Sequence, residues 1–229
     1  MAKIRIAALG DSLTKGVVLT DKNRYSVLDG CFIDIIGNEM NLSIDNYGKF
    51  GCTVGFGNKV IDRHRESIAS SDITLLEYGG NDCDFDWLKI AEYPSGEHKP
   101  KTILESFKEQ FLALIDRIRT LGSRPVIISL PPIDSEAYFS FLSRFMNEDQ
   151  KRNVIDWLGG DIGIISRWHE TYNKALFEIA QATDSHIIDI TTPFEEYEGD
   201  VRALYCPDGI HPNADGHRLI ASSISKTEF

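Results

Sequence analysis

The chain has 229 residues, 42% of them hydrophobic and 26% charged, which is typical of a globular protein and predicts one domain over residues 1–229. Its formal net charge of -11 makes nucleic acid an unfavourable partner, because the phosphate backbone is also negatively charged. No apolar run approaches the roughly 18 residues of a membrane span, so we expect no integral membrane association.

Short runs rich in β-branched residues alternate along the chain with segments of helical periodicity. The predicted strands cover residues 4–9, 42–47, 73–78, 126–130 and 187–190. The predicted helices cover about 27–40, 59–70, 103–121, 166–182 and 214–223. This alternation of strand and helix predicts a parallel sheet with helices packed on both faces.

The segment 134–165 departs from this alternation after the fourth predicted strand. Pro131 and Pro132 end that strand, and apolar residues at helical spacing, including Phe141, Phe145 and Leu158, predict a helical insertion. Open parallel sheets bind ligands beyond the carboxyl ends of their strands, which is where this insertion begins. It is therefore either a lid or pocket wall, or a helical pair that extends the core or forms a homo-oligomer contact.

Four short polar or glycine-rich segments each follow a predicted strand. The carboxyl ends of parallel strands meet at one edge of the sheet, so segments that are distant in sequence are expected to converge there. The four segments are Gly10-Asp11-Ser12, Gly51, Gly79-Gly80-Asn81-Asp82 and Asp208-Gly209-Ile210-His211-Pro212.

The residue types in these segments suit acyl transfer by a serine nucleophile. Ser12 requires a base to remove its proton, and His211 can serve if a carboxylate such as Asp208 fixes the tautomer of its ring. The negative charge that develops on the attacked carbonyl oxygen needs fixed donors. The backbone N–H groups of Ser12 and Gly51 and the side-chain amide of Asn81 can supply them.

His211 is the histidine that has this Asp-x-x-His spacing in a loop after the last predicted strand. The other five histidines lie in positions typical of surface or structural groups. His169 is one of these five, because it lies among charged residues on a predicted helix.

The four segments together resemble the sequence blocks of the SGNH or GDSL hydrolases, a family of lipases and acylhydrolases. The matching blocks extend from residue 10 to residue 213 and are highly specific in combination. They are Gly10-Asp11-Ser12-Leu13, Asn46-Tyr47-Gly48-Lys49-Phe50-Gly51, Gly79-Gly80-Asn81-Asp82 and Asp208-Gly209-Ile210-His211-Pro212-Asn213.

This resemblance implies a three-layer α/β/α flavodoxin-like fold with a five-stranded parallel sheet in the order 2-1-3-4-5. It also implies hydrolysis through an acyl-enzyme, with Ser12 as nucleophile, His211 as base and Asp208 as its orienting carboxylate. Ser12, Gly51 and Asn81 would form the oxyanion hole, and neither a metal nor a cofactor would be needed. The insertion at 134–165 has no fixed counterpart in the family pattern, which leaves the choice of substrate open.

We expect the substrate to be a short-chain acyl ester, such as an O-acetyl group on a carbohydrate, with a lysophospholipase or thioesterase as the alternative. Two other classes of function compete with this interpretation. A metal-dependent phosphoester hydrolase would need several His and Asp ligands near Asp11, yet no histidine precedes His64. A non-catalytic binding module on the same fold would usually lack the nucleophile or the base, and both are present here.

The start of the chain and its four cysteines bear on location. The amino terminus enters a predicted strand directly and lacks the pattern of a secretory leader, which favours the cytoplasm, although a mature secreted form would have the same sequence. The cysteines form no CxxC pair and are expected to be free thiols. Cys52, Cys83 and Cys206 adjoin the four blocks, where a role as small hydrophobic residues is favoured over sensitivity to oxidation.

Overall fold

A parallel five-stranded sheet forms the centre of the computed structural model, which describes residues 3–227. The strands are β1 Arg5–Gly10, β2 Val17–Leu19, β3 Tyr25–Val27, β4 Ser43–Asn46, β5 Ile73–Glu77, β6 Arg124–Ile128 and β7 His186–Ile188. The central sheet has the order β4-β1-β5-β6-β7, and β2 and β3 form a separate antiparallel hairpin. When the hairpin strands are left out, this is the predicted order 2-1-3-4-5, so the predicted fold class is confirmed.

Helices connect the strands and cover both faces of the sheet. They are α1 Ser12–Lys15, α2 Phe32–Glu39, α3 Val54–Arg63, α4 Arg65–Ala69, α5 Trp87–Glu92, α6 Leu104–Thr120, α7 Ser135–Leu142, α8 Glu148–Trp157, α9 Ile164–Thr183, α10 Thr192–Glu195 and α11 Ala214–Ser225. The longer ones form where apolar residues recur on one face. In α6, for example, Phe107, Phe111, Leu114 and Ile118 form a buried stripe at helical spacing.

The side chains of β1 show how the two faces are separated. Ala7 and Leu9 pack into one core with α3, α6 and α9, whereas Ile6 and Ala8 pack into another with α2 and α11. Successive strand residues point to opposite faces, so a strand that is apolar throughout must be covered on both sides. The result is a three-layer α/β/α architecture.

Two local differences from the sequence prediction concern the residues after β1 and the region around His64. Val27 belongs to the hairpin, so α2 begins at Phe32 and the predicted start of this helix was wrong. The hairpin strands have only three residues each, which is too short for a clear alternation of apolar and polar side chains. The helix predicted over 59–70 begins earlier and is interrupted at His64, whose backbone is not helical.

The predicted insertion is helical and consists of α7, a short 3₁₀ turn over Ser143–Phe145, and α8. Together with α5, which the sequence did not predict, it encloses a third apolar cluster that includes Trp87, Phe139 and Val154. The cluster lies beyond the carboxyl ends of the strands. Within residues 3–227, none of the helices has the length and apolarity needed to cross a membrane.

Candidate active site

Ser12 lies on a tight turn where β1 passes into α1. The Oδ1 atom of Asp11 accepts a hydrogen bond from the Leu13 N–H at 2.9 Å and thereby caps the helix. Gly10 is required at the end of the strand, because a Cβ there would lie 2.0 Å from Thr14 Oγ1 and 2.8 Å from the carbonyl oxygen of Glu77. The turn holds the hydroxyl of Ser12 at the edge of the sheet.

The loop that follows α10 brings His211 to Ser12. Nε2 of His211 lies 3.0 Å from Ser12 Oγ, and Nδ1 lies 2.7 Å from Asp208 Oδ2. The other carboxylate oxygen of Asp208 accepts hydrogen bonds from the N–H groups of Ile210 and His211 at 3.2 and 3.1 Å. One carboxylate therefore fixes both the backbone of the loop and the direction of the imidazole ring.

The protonation of this pair follows from its hydrogen bonds. Burial alone would raise the pKa of Asp208, but the hydrogen bonds from His211 and Ile210 outweigh it, and the pKa is lowered. An ionised Asp208 can only accept, so it holds the proton of the imidazole on Nδ1. Nε2 is then left to accept the hydrogen bond of the Ser12 hydroxyl.

Candidate donors for an oxyanion surround the same point. The side-chain amide of Asn81 donates one N–H to Asp11 Oδ2 at 2.8 Å, and its second N–H has no acceptor among the residues that the structure describes. Gly51 lies at φ +74 in a turn closed by the Cys52 N–H and the Lys49 carbonyl oxygen, at 3.2 Å. Within residues 3–227, the backbone N–H groups of Ser12 and Gly51 have no acceptor. The structure thus brings the five predicted site residues together, while their catalytic roles stay predictions.

Three buried carboxyl groups, those of Asp11, Glu77 and Asp82, hold the loops of the site in place. Glu77 Oε2 accepts from Thr14 Oγ1 at 2.9 Å and lies 3.4 Å from the Asp11 N–H. Burial raises the pKa of Asp11, and burial together with the nearby Asp11 raises that of Glu77 well above its usual range. Asp82 accepts from the Val54 N–H and so ties the Asn81 loop to the segment after Gly51.

Ser12 and His211 open into a cavity of about 480 Å³. Its walls are mainly apolar and include Tyr138, Phe141 and Leu142 of the insertion. Four further residues complete the wall, and sequence reasoning missed them because they lie on the unpredicted α5, in the loop before it, or on a face of α9 whose burial depends on tertiary packing. They are Phe85, Trp87, Trp168 and His169. The insertion is therefore a wall of the cavity next to the candidate nucleophile.

The imidazole of His211 is flanked by two aromatic rings on the solvent side. The ring centroid of Tyr25, in the hairpin, lies 5.3 Å away, and that of Phe50 lies 6.0 Å away with its plane tilted by 16°. Both rings are partly exposed. They line the end of the cavity next to His211, whereas residues of α5, α9 and the insertion line the rest of it.

All four cysteines are buried and free. Cys83 Sγ donates to the Gly80 carbonyl oxygen at 3.2 Å, and Cys206 Sγ accepts from the Leu19 N–H at 3.4 Å. Burial raises the pKa of Cys52 and Cys83, and that of Cys206 to about 11. Thiols in this state are weak nucleophiles, so these observations support the small-hydrophobe interpretation. Among residues 3–227, no group of three or more His, Cys, Asp or Glu side chains is arranged to hold a metal ion.

Other proteins are similar to this chain in sequence or in fold. The chain is 24% identical over 232 aligned residues to the uncharacterized protein YpmR of Bacillus subtilis, covering 96% of this chain and 80% of that protein. Its fold matches a lipase/acylhydrolase from Enterococcus faecalis with a TM-score of 0.65 at 18% identity, covering 97% of this chain and 94% of the other. An acetylxylan esterase from Geobacillus stearothermophilus matches with a TM-score of 0.63 at 18% identity, covering 99% and 94%.

These solved structures are too distant in sequence to show more than the fold. The sequence profile of the GDSL-like Lipase/Acylhydrolase family, however, matches residues 8–219 and so spans all four of the blocks described above. The chain belongs to the GDSL-like lipase/acylhydrolase family.

Proposed function

We propose that this chain is a serine esterase that hydrolyses acyl esters through an acyl-enzyme on Ser12. The observation that carries the proposal is the continuous chain of hydrogen bonds from Ser12 Oγ through His211 to Asp208, at 3.0 and 2.7 Å. Such a chain is the arrangement that makes a serine hydroxyl nucleophilic. Its position at the mouth of a cavity gives an ester access to the hydroxyl.

The proposed reaction has two halves. As Ser12 Oγ attacks the ester carbonyl carbon, its proton passes to His211 Nε2, and the carbonyl oxygen becomes an oxyanion held by N–H groups of Ser12, Gly51 and Asn81. The intermediate collapses with cleavage of the ester bond, and the alcohol leaves with the proton from His211. Water then attacks the acyl-enzyme by the same steps and releases the carboxylic acid.

Different observations support the two substrate classes expected from the sequence. Short-chain and O-acetyl esters are supported by the fold shared with an acetylxylan esterase. The alternative, a longer acyl chain as in a lysophospholipase or thioesterase, is supported by the apolar cavity of about 480 Å³. We favour the longer chain, because an acetyl group would leave most of the apolar wall without a contact.

A series of p-nitrophenyl esters from acetyl to palmitoyl, assayed beside a panel of O-acetylated sugars, tests the proposal. We expect turnover of the nitrophenyl esters, with kcat/KM rising from acetyl to medium chains, since each buried methylene adds about 0.8 kcal/mol of binding free energy. Treatment with EDTA should leave the rate unchanged. Absence of turnover across both panels would favour a non-catalytic binding module, and loss of activity with EDTA would favour a metal-dependent hydrolase.

Replacing Asn81 by alanine should lower kcat by about 100-fold to 1000-fold, because one donor to the oxyanion is lost. KM should change little, since this hydrogen bond strengthens only as charge develops on the oxygen. Steady-state kinetics with the best ester of the series measure both constants. Asn147→Ala is the matched control: it removes the cap of α8 and should lower stability without lowering kcat. Full activity in Asn81→Ala would show that its role is misassigned.

A further inference from the structure

The geometry of the site separates the two halves of an ester. His211 must return its proton to the leaving oxygen, so the alcohol lies on the His211 side, next to Tyr25 and Phe50. The acyl group then extends in the other direction, past Asn81. There it enters the part of the cavity that we call the acyl chamber and define by Phe85, Trp87, Trp157, Leu158, Ile165 and Trp168.

Most polar atoms in the walls of the acyl chamber are bonded to one another. Trp87 Nε1, Tyr138 Oη and Lys101 Nζ all donate to the carboxylate of Asp84, at 2.8 to 2.9 Å. Trp168 Nε1 donates to a backbone carbonyl oxygen at 2.9 Å. Because these polar atoms already have hydrogen-bond partners within the protein, the chamber presents mainly aromatic and aliphatic surface to an acyl chain.

His169 is the exception among the buried polar side chains of this wall. It is only 7% exposed and lines the cavity, yet in the described part of the chain its imidazole makes no hydrogen bond. Burial lowers its pKa to about 4, so the ring is neutral near pH 7 and offers one donor and one acceptor. Its ring nitrogens are not sealed from solvent and face the cavity, where water or a polar group of a ligand can bond them.

The position of His169 is close to the carbonyl end of the acyl chamber. A Cβ built on Gly80 would lie 4.0 Å from His169 Nε2 and 3.8 Å from Asp11 Oδ2, the atom that holds the Asn81 amide. His169 Nε2 and the oxygen that holds the Asn81 amide therefore both lie close to the same residue, Gly80. A polar group near the ester carbonyl of a bound substrate can reach His169.

We propose that His169 selects acyl chains that carry a hydroxyl group close to the ester carbonyl. A plain acyl chain displaces water from the imidazole and leaves it without a hydrogen bond, whereas a hydroxyl takes the place of that water at Nε2, as donor or as acceptor according to the tautomer of the ring. As a statement about the substrate, this inference rests on the proposed ester hydrolysis. The selectivity itself can be measured as a difference in binding affinity, without turnover. The substrate class is thus a medium-chain hydroxyacyl ester.

The test compares methyl 3-hydroxydecanoate, in both enantiomers, with methyl decanoate, by calorimetric titration of the Ser12→Ala variant. We expect one hydroxy ester to bind about tenfold more tightly than the plain ester, as one well-formed buried hydrogen bond allows. In the double variant Ser12→Ala/His169→Leu the preference should disappear or reverse. Ser12→Ala/His169→Gln, which keeps a donor and an acceptor, should retain part of it.

The matched control is Glu170→Gln in the same background, since Glu170 is the exposed neighbour of His169 on α9 and should leave the preference unchanged. Thermal unfolding shows which variants are folded. If the leucine variant is not folded, the readout is the partial loss of the preference in Ser12→Ala/His169→Gln, and an undiminished preference there contradicts the inference. Equal dissociation constants for plain and hydroxy esters, or a preference that survives in the leucine variant, would overturn the inference. Selective binding without turnover in the wild-type protein would instead contradict the proposed function alone.

Discussion

Replacing Ser12 by alanine should lower kcat for the best ester by about five to six orders of magnitude, the loss seen when a serine nucleophile is removed from a hydrogen-bonded triad. The physical reason is that no other hydroxyl in the site is hydrogen-bonded to His211 Nε2. The rate that remains should come from the oxyanion donors and from substrate binding. Burst kinetics and labelling with a fluorophosphonate, followed by intact-mass measurement, check the same residue directly.

Ser222→Ala is the matched control for this experiment, because Ser222 is an exposed serine on α11, away from the cavity. It should keep wild-type activity and should still be labelled once per chain. Label that remains on Ser12→Ala, or an activity within tenfold of wild type, would contradict the assignment of the nucleophile.

Changing Asp208 to asparagine should lower kcat/KM by about 10⁴-fold with little change in the geometry of the loop. The asparagine oxygen can still accept the N–H groups of Ile210 and His211, so the backbone turn is retained. Its amide nitrogen, however, is a donor and favours the proton on Nε2 of His211. In that tautomer the imidazole cannot accept the proton of Ser12.

Asp215→Asn provides the comparison for this variant, since Asp215 is an exposed carboxylate at the start of α11. Kinetics and thermal unfolding of both variants separate a change of tautomer from a loss of structure. If Asp208→Asn unfolds at the wild-type temperature and keeps more than a tenth of the activity, Asp208 does not orient the base.

The fold and the site residues were predictable because both depend on features that are local in sequence. Four of the five core strands are short runs rich in apolar residues, and Ser12 and Asn81 follow two that are adjacent in the parallel sheet. The loop after α10 carries His211 to the same edge. The sequence did not predict the hairpin, because its strands have only three residues each and the exposed β3 has no buried face to produce an alternating pattern.

His169 illustrates what the sequence could not provide. Its neighbours Arg167 and Glu170 are charged, so its position resembles a surface site, and the prediction that it is a surface or structural group did not anticipate its place in the cavity wall. Its burial arises only when α9 packs against the Gly79–Asp82 loop and the insertion. The homo-oligomer contact through 134–165 and the cytoplasmic location depend on partners and transport rather than on the fold, and they stay predictions.

The two rings beside His211 also bear on the energy of the charged state. In the proposed reaction the imidazole takes up a proton and becomes a cation, and the electron-rich face of a nearly parallel ring such as Phe50 attracts a cation more strongly than a neutral ring. Because this attraction grows as charge develops on the imidazole, it would lower the activation barrier of the proposed reaction without strengthening the binding of substrate in the ground state. The unpredicted hairpin adds a second aromatic ring, that of Tyr25, 5.3 Å from the same imidazole.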